Sequence, residues 1–226
     1  MEIVTSDGTA QVEVTGPPAG RPAFLFVLTH GAGGGVGTPD LLAVRDAALR
    51  LGGAVAMVTQ PYRVKGRRVP GSPARQDAAW LEVITALRGS AGGAGVPLIQ
   101  GGRSNGARVA CRTARAAGAR AVVALAFPLH PPGRPERSRG TELRETGTDV
   151  LVVNGDRDPF GVPDSADATR VVVLAGESHA LSRRPEAAAD AVESWLREVL
   201  MKPRRGRAAT PRASTTRPSR DRGSRR

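Results

Sequence analysis

Three kinds of side chain stand where a nucleophile, a base and an orienting acid would have to be. Ser104 lies in Gly102-Arg103-Ser104-Asn105-Gly106, a G-x-S-x-G pattern between the apolar run "VPLIQ" and a helical stretch. A sharp strand-to-helix turn of this kind lifts a serine Oγ clear of a sheet, and it needs small residues two before and two after. Gly102 and Gly106 meet that need. His179 lies in "GESHALS", just past the apolar run "RVVVLA", and two acids, Asp156 and Asp158, lie in "GDRDPFG", just past "DVLVVN". A serine hydroxyl is a poor nucleophile at neutral pH, so a neutral imidazole must take its proton. A carboxylate then holds the imidazole in the right tautomer and stabilises the imidazolium. Asp158 is the preferred acid, because Pro159-Phe160 fixes the backbone after it; Asp156 suits turn hydrogen bonding.

Such a nucleophile also needs donors for the negative oxygen that forms when a carbonyl is attacked. The stretch "LTHGAGGGVGTPD", Leu28 to Asp40, holds five glycines between a strand and a helix. It lacks the Lys of a phosphate-binding G-x-x-x-x-G-K-[ST] loop. It also fails the dinucleotide pattern G-x-G-x-x-G, and the strand after it ends in Gln60-Pro61 without the acid that would hold a ribose. A transient oxyanion therefore fits better than a stored cofactor. The expected backbone donors are Ala32, with Gly33 as the alternative, and Asn105. No cofactor and no metal site is implied, and the lone Cys111 excludes a multi-cysteine cluster.

These residues must be held by a sheet. Apolar runs at 23–29, 54–60, 96–100, 121–128, 149–155 and 170–176 alternate with helical patterns at 40–52, 73–92, 105–118 and 185–200. Unbroken apolar strands are buried on both faces, which predicts a mostly parallel, doubly wound α/β sheet with helices on each side. "QVEVTG" is expected to add an antiparallel edge strand. In such sheets ligands sit beyond the carboxyl ends of the strands, and Ser104, Asp158 and His179 all follow strands. About twenty residues separate "AVVALAFP" from "DVLVV", too few for a large lid.

Of 226 residues, 40% are hydrophobic, enough for one core. The net charge of +12 is concentrated at one end, because residues 202–226 carry +9. That segment has no Val, Ile, Leu, Phe or Trp and is expected to be disordered, beside a globular domain over 1–201. Its functional reading is contact with a polyanion; a solvated, dispensable extension is the reading preferred. No window is apolar enough to span a membrane and the N-terminal stretch lacks a secretory pattern, so a cytoplasmic protein is the default.

Six pieces, "LTHGAGG", "QPYRVKGRRVP", "GGRSNGARVA", "FPLHPPGRPE", "VVNGDRDPFG" and "GESHAL", together resemble the α/β-hydrolase superfamily, and more narrowly its small KANL/Tex group, with dienelactone-hydrolase-like enzymes as wider relatives. The order Ser, Asp, His is that of this superfamily. The resemblance implies Ser104, Asp158 and His179 as a catalytic triad, and hence a serine hydrolase, expected to cleave a small-molecule carboxylic ester through an acyl-enzyme. The alternative is a non-catalytic interaction module of the same fold, tethered to nucleic acid or a protein complex by its basic tail. Tyr62, Arg63 and His130 follow strands and are candidates to contact substrate. Arg63, Arg67 and Arg68 otherwise read as a solvated basic loop, His30 as a structural hydrogen bonder and Cys111 as packing.

Overall fold

The computed structural model describes residues 1–17, 20–89 and 94–202. In chain order the elements are β1 (Glu2–Thr5), β2 (Gly8–Thr15), β3 (Leu25–Thr29), α1 (Pro39–Arg50), β4 (Ala54–Thr59), α2 (Pro61–Val64), α3 (Pro73–Gly89), β5 (Leu98–Arg103), α4 (Asn105–Ala117), β6 (Ala121–Leu125), α5 (Gly140–Arg144), β7 (Asp149–Gly155), β8 (Arg170–Leu174) and α6 (Pro185–Met201). The eight strands form one sheet in the order β1-β2-β4-β3-β5-β6-β7-β8. From β4 to β8 every pairing is parallel.

The period-2 alternation of a strand sends neighbouring side chains to opposite faces, and the core divides accordingly. Phe26 and Leu28 of β3, Val123 and Leu125 of β6, and Leu151 and Val153 of β7 pack with Leu41 and Val44 of α1 and Val192, Trp195 and Leu196 of α6. Leu25 and Val27 of β3 face the other way, against Trp80, Val83, Ile84 and Leu87 of α3. Val122, Ala124 and Val152 meet Ala107, Ala110 and Ala114 of α4. The small residues of α4 let that helix lie close against β5 and β6, where the serine turn sits.

Two expectations about the sheet's margins need correction. "QVEVTG" is strand β2, and it is not the edge: β1 pairs outside it in an antiparallel hairpin, while β2 pairs antiparallel with β4. Strand β1 is four residues of alternating exposure, too short and too polar for an apolar run. At the other margin β8 is half exposed along its length, because it pairs only with β7 and stands last in the order. Its three valines look like a buried strand in sequence, and position at the edge overrides that reading. The link between β6 and β7 holds only the short helix α5, with no large lid. The helix expected over 73–92 ends at Gly89, and its last three positions lie outside the described residues. The basic tail, Lys202 apart, also lies outside them. Among the described residues no helix is long and apolar enough to cross a membrane.

Candidate active site

Ser104 occupies the single step between β5 and α4. Its backbone has φ 53° and ψ −112°, a strained conformation for a residue with a Cβ. What holds it there is packing against two glycines. A Cβ on Gly102 would lie 2.7 Å from the Thr29 carbonyl oxygen and 2.8 Å from the Gly106 carbonyl carbon; one on Gly106 would lie 2.7 Å from the His30 carbonyl oxygen. The turn therefore closes only because both positions lack side chains, and the N–H of Ser104 continues the sheet by donating to Leu125 O at 2.9 Å.

The loops after β7 and β8 meet this turn. His179 Nε2 lies 2.9 Å from Ser104 Oγ, and its Nδ1 lies 2.8 Å from Asp158 Oδ2. The Asp158 side chain is fully buried. Its Oδ1 accepts the Phe160 N–H at 2.9 Å, and its Oδ2 also accepts from Asn154 Nδ2 at 3.3 Å. The Phe160 ring lies against the imidazole of His179, centroids 4.3 Å apart and tilted by 34°. One tight turn, Asp158 to Phe160, thus supplies both the acid and the surface that limits the ring's tilt. Asp156 is exposed, and its Oδ1 accepts the Gly176 N–H at 2.7 Å.

The glycine loop after β3 runs beside the serine. A Cβ on Gly31 would lie 3.3 Å from Ser104 Cβ, so the loop backbone approaches Ser104 closely. Ala32 sits in the turn closed by Gly34 N–H to Gly31 O at 3.2 Å, and its own carbonyl accepts the Tyr62 hydroxyl at 3.1 Å. Burial pushes the Tyr62 phenol up to about 12, so it stays a donor. Asn105 is the first residue of α4, where helix N–H groups have no carbonyl one turn back. Its side chain is buried and donates to Gln76 Oε1 at 2.7 Å; Gln76 Nε2 in turn donates to Gly71 O at 2.8 Å. This tie between the serine turn and the start of α3 has no local signal in the sequence, because its partners are 29 residues apart.

The remaining expected residues take definite places. Tyr62 is buried and spends its hydroxyl on the loop that carries Ala32. Arg63 donates to Arg67 O at 3.0 Å and so braces its own basic loop. His130 packs against the acid's turn: its N–H donates to Phe160 O at 2.9 Å, and a Cβ on Gly161 would lie 2.4 Å from its Nε2. His30 is fully buried; its Nδ1 lies 2.8 Å from Gly31 O and its Nε2 accepts the Gln60 N–H at 3.0 Å. Burial, with the nearby charge of Arg63, lowers its pKa against the opposing effect of the Gly31 hydrogen bond. Cys111 is buried in the core, where desolvation pushes its thiol up to about 12, far from a reactive thiolate. Residues outside the sequence reading also converge here. Arg103 donates through Nη2 to His179 O at 2.9 Å, and its Nε lies 3.2 Å from Asp40 Oδ2. Glu177 is buried and accepts the N–H groups of Arg183 and Arg184.

A strained turn after the fifth strand, closed by two glycines, with a histidine and a buried acid on the following loops, is the architecture of the α/β hydrolases. The chain belongs to the alpha/beta hydrolase domain family, whose model matches residues 22–199. A search of curated protein sequences returns no match. Among solved structures, Est1E from Butyrivibrio proteoclasticus with ferulic acid bound is similar at 17% identity and a TM-score of 0.75, over 89% of this chain and 100% of that one. XC6422 from Xanthomonas campestris, described as an a/b serine hydrolase without lid, is similar at 19% identity and a TM-score of 0.67, over 90% and 95%. Dienelactone hydrolase from Anabaena variabilis is similar at 16% identity and a TM-score of 0.70, over 88% and 95%. At these identities the likeness is one of fold.

Proposed function

We propose that the protein is a serine hydrolase that cleaves small carboxylic esters through an acyl-enzyme. The observation that carries this reading is the chain of two hydrogen bonds through His179, from Asp158 Oδ2 at 2.8 Å to Ser104 Oγ at 2.9 Å. In that geometry Nδ1 donates to the carboxylate, which leaves Nε2 as an acceptor facing the hydroxyl. Ser104 Oγ attacks the ester carbonyl as its proton passes to His179 Nε2. Asp158 stabilises the imidazolium, which then protonates the leaving alkoxide. Water, deprotonated by the same Nε2, attacks the acyl-serine and releases the acid.

The oxyanion donors in this proposal are the N–H groups of Asn105 and Ala32. Their value lies in being fixed before the charge appears; loss of one such donor costs about 2.7–4 kcal/mol. Two side chains support that fixity, Tyr62 on the Ala32 carbonyl and Gln76 on the side-chain amide of Asn105. Tyr62 is thus a positioning residue for the loop, and His130 is one for the acid's turn. The absence of a large lid between β6 and β7 favours short, accessible esters. The solved neighbour described as an a/b serine hydrolase without lid is consistent with this chemistry. The narrower kinship with the KANL/Tex group is part of the same proposal and rests on the motif set around Ser104, Asp158 and His179.

The test is active-site labelling with a fluorophosphonate probe, followed by turnover of p-nitrophenyl esters of increasing acyl length. Wild type is expected to label at Ser104 and to favour the shorter esters, and Ser104→Ala is expected to do neither. Folded wild type that stays unlabelled and inactive sinks the proposal.

A further inference from the structure

Arg103 is the residue before the proposed nucleophile, and the patterns that single out Ser104 leave it unspecified. Its guanidinium does not reach solvent freely; only 15% of the side chain is exposed. It touches three segments that meet at the site. Its own backbone ends β5 and leads into the Ser104 turn. Its Nε lies 3.2 Å from Asp40 Oδ2, on the second residue of α1, where the glycine loop ends. Its Nη2 donates to the main-chain carbonyl of His179 itself at 2.9 Å. On the way it passes Gly31, whose added Cβ would lie 3.6 Å from Nη1.

Stability alone is a poor reason for this arrangement. Asp40 is fully buried. An ion pair taken out of water pays a desolvation cost that its mutual attraction roughly repays, so a well-packed apolar pair would hold the fold as well. What an apolar pair lacks is direction. The His179 ring is already fixed at both nitrogens, but the loop that carries it, 175–184, follows the half-exposed strand β8. Glu177 anchors that loop to itself, through the N–H groups of Arg183 and Arg184. The turn after β7 also holds it, through Arg157 N–H to Glu177 O at 3.0 Å and Gly176 N–H to Asp156 Oδ1 at 2.7 Å. Arg103 adds a tie from the serine turn to the loop's main chain.

We infer that Arg103 is a positioning residue for the proposed reaction: its guanidinium, held by Asp40, fixes the backbone of His179 relative to Ser104 and to the glycine loop. This inference rests on the serine-hydrolase reading. It places a requirement for a forked cation at the second position of the G-x-S-x-G turn. An ammonium is a single point of charge, whereas the guanidinium reaches Asp40 with one nitrogen and the His179 carbonyl with another.

The experiment compares wild type with Arg103→Ala, Arg103→Lys and Asp40→Asn in p-nitrophenyl acetate turnover, in fluorophosphonate labelling rate and in melting temperature. Misplacement of a catalytic group by about 1 Å costs on the order of 100-fold. Arg103→Ala is therefore expected to lose about 10- to 100-fold in kcat with KM changed less than about twofold. Methylguanidinium at millimolar concentration is expected to restore part of the lost labelling rate. Arg103→Lys is expected to fall between the two, and Asp40→Asn to lose kcat in the same direction while Arg103 remains. Should Arg103→Ala fail to fold, Arg103→Lys and Asp40→Asn decide: wild-type kcat in both overturns the inference. So does a folded Arg103→Ala with kcat within twofold of wild type, or one whose loss is not rescued and follows its drop in melting temperature. Wild type that neither labels nor turns over ester overturns the hydrolase reading instead.

Discussion

Asp158→Asn is the substitution whose outcome the site's geometry sets most narrowly. It keeps the shape of the side chain and removes its charge. In the native turn Oδ1 accepts the Phe160 N–H at 2.9 Å, while Oδ2 accepts from His179 Nδ1 at 2.8 Å and from Asn154 Nδ2 at 3.3 Å. Every contact to this carboxylate is therefore a donor, and an amide offers only one acceptor end. With the amide oxygen toward Phe160, the NH2 faces His179, and Nδ1 must accept. The ring proton then moves to Nε2, which donates to Ser104 Oγ and can no longer take its proton. With the amide flipped, the NH2 opposes the Phe160 N–H inside a buried turn, a conflict of about 1–3 kcal/mol, and the imidazolium still lacks its counter-charge. The wrong tautomer in a serine triad costs about 10⁴ in kcat, or about 5 kcal/mol at 1.36 kcal/mol per decade. The assay is ester turnover together with the fluorophosphonate labelling rate, with circular dichroism to show that the variant is folded. Asp156→Asn is the control and is expected to stay near wild type, because that carboxylate is exposed and serves one turn N–H. A folded Asp158→Asn within tenfold of wild type, or an Asp156→Asn that loses as much, would refute the reasoning.

Tyr62→Phe removes only the hydroxyl that donates to Ala32 O at 3.1 Å. A hydrogen bond of this kind is worth about 0.5–1.5 kcal/mol, so steady-state kinetics are expected to show kcat lower by about 2- to 10-fold with KM nearly constant; an unchanged kcat would remove Tyr62 from the positioning of the loop. A second expectation concerns acid. His30 is neutral in the folded protein, with a pKa below its ordinary value of 6.5 because of burial and then Arg63. The unfolded chain takes up that proton first, so the contribution is present above about pH 6.5 and is lost as pH falls toward the folded pKa. Urea melts at pH 7.5 and 5.5 are expected to show wild type losing more stability than His30→Asn, by no more than about 1.4 kcal/mol per pH unit. Equal losses in the two proteins would contradict this.

The sheet was readable because its central strands are continuous apolar runs and its helices follow them at short intervals; β3, β4, β6 and β7 are buried at nearly every position. Strand β1 and helices α2 and α5 escape that reading because four or five residues are too few to display a period. At the candidate site, position after a strand was the informative signal. With residue type and the order Ser, Asp, His, it narrows the candidates to Ser104, His179 and one of Asp156 and Asp158 without any knowledge of their distances. Residues whose contribution is a contact across the fold gave no such signal. Asn105 looks oversized for its place until Gln76 is found beside it, and Arg103 looks like one of many arginines until Asp40 and the His179 carbonyl are found around it. Position after a strand makes Tyr62 a candidate to contact substrate, but it carries no sign of the hydrogen bond from its hydroxyl to Ala32 O.

The position of β8 has a consequence for how the site comes apart. His179 lies five residues past a strand that pairs on one side only and carries Val173 with 49% of its surface exposed, whereas Ser104 follows β5 in the middle of the sheet. Proteins open by segments, and the least buried segments open first. Detachment of β8 and its loop would carry His179, the proposed base, away from an otherwise intact Ser104 turn 75 residues earlier. Loss of activity on heating should then begin below the temperature at which the sheet melts, and return at once on cooling. The same order in reverse, for a chain leaving the ribosome, would assemble the Ser104 turn before the last strand docks and brings the proposed base to it.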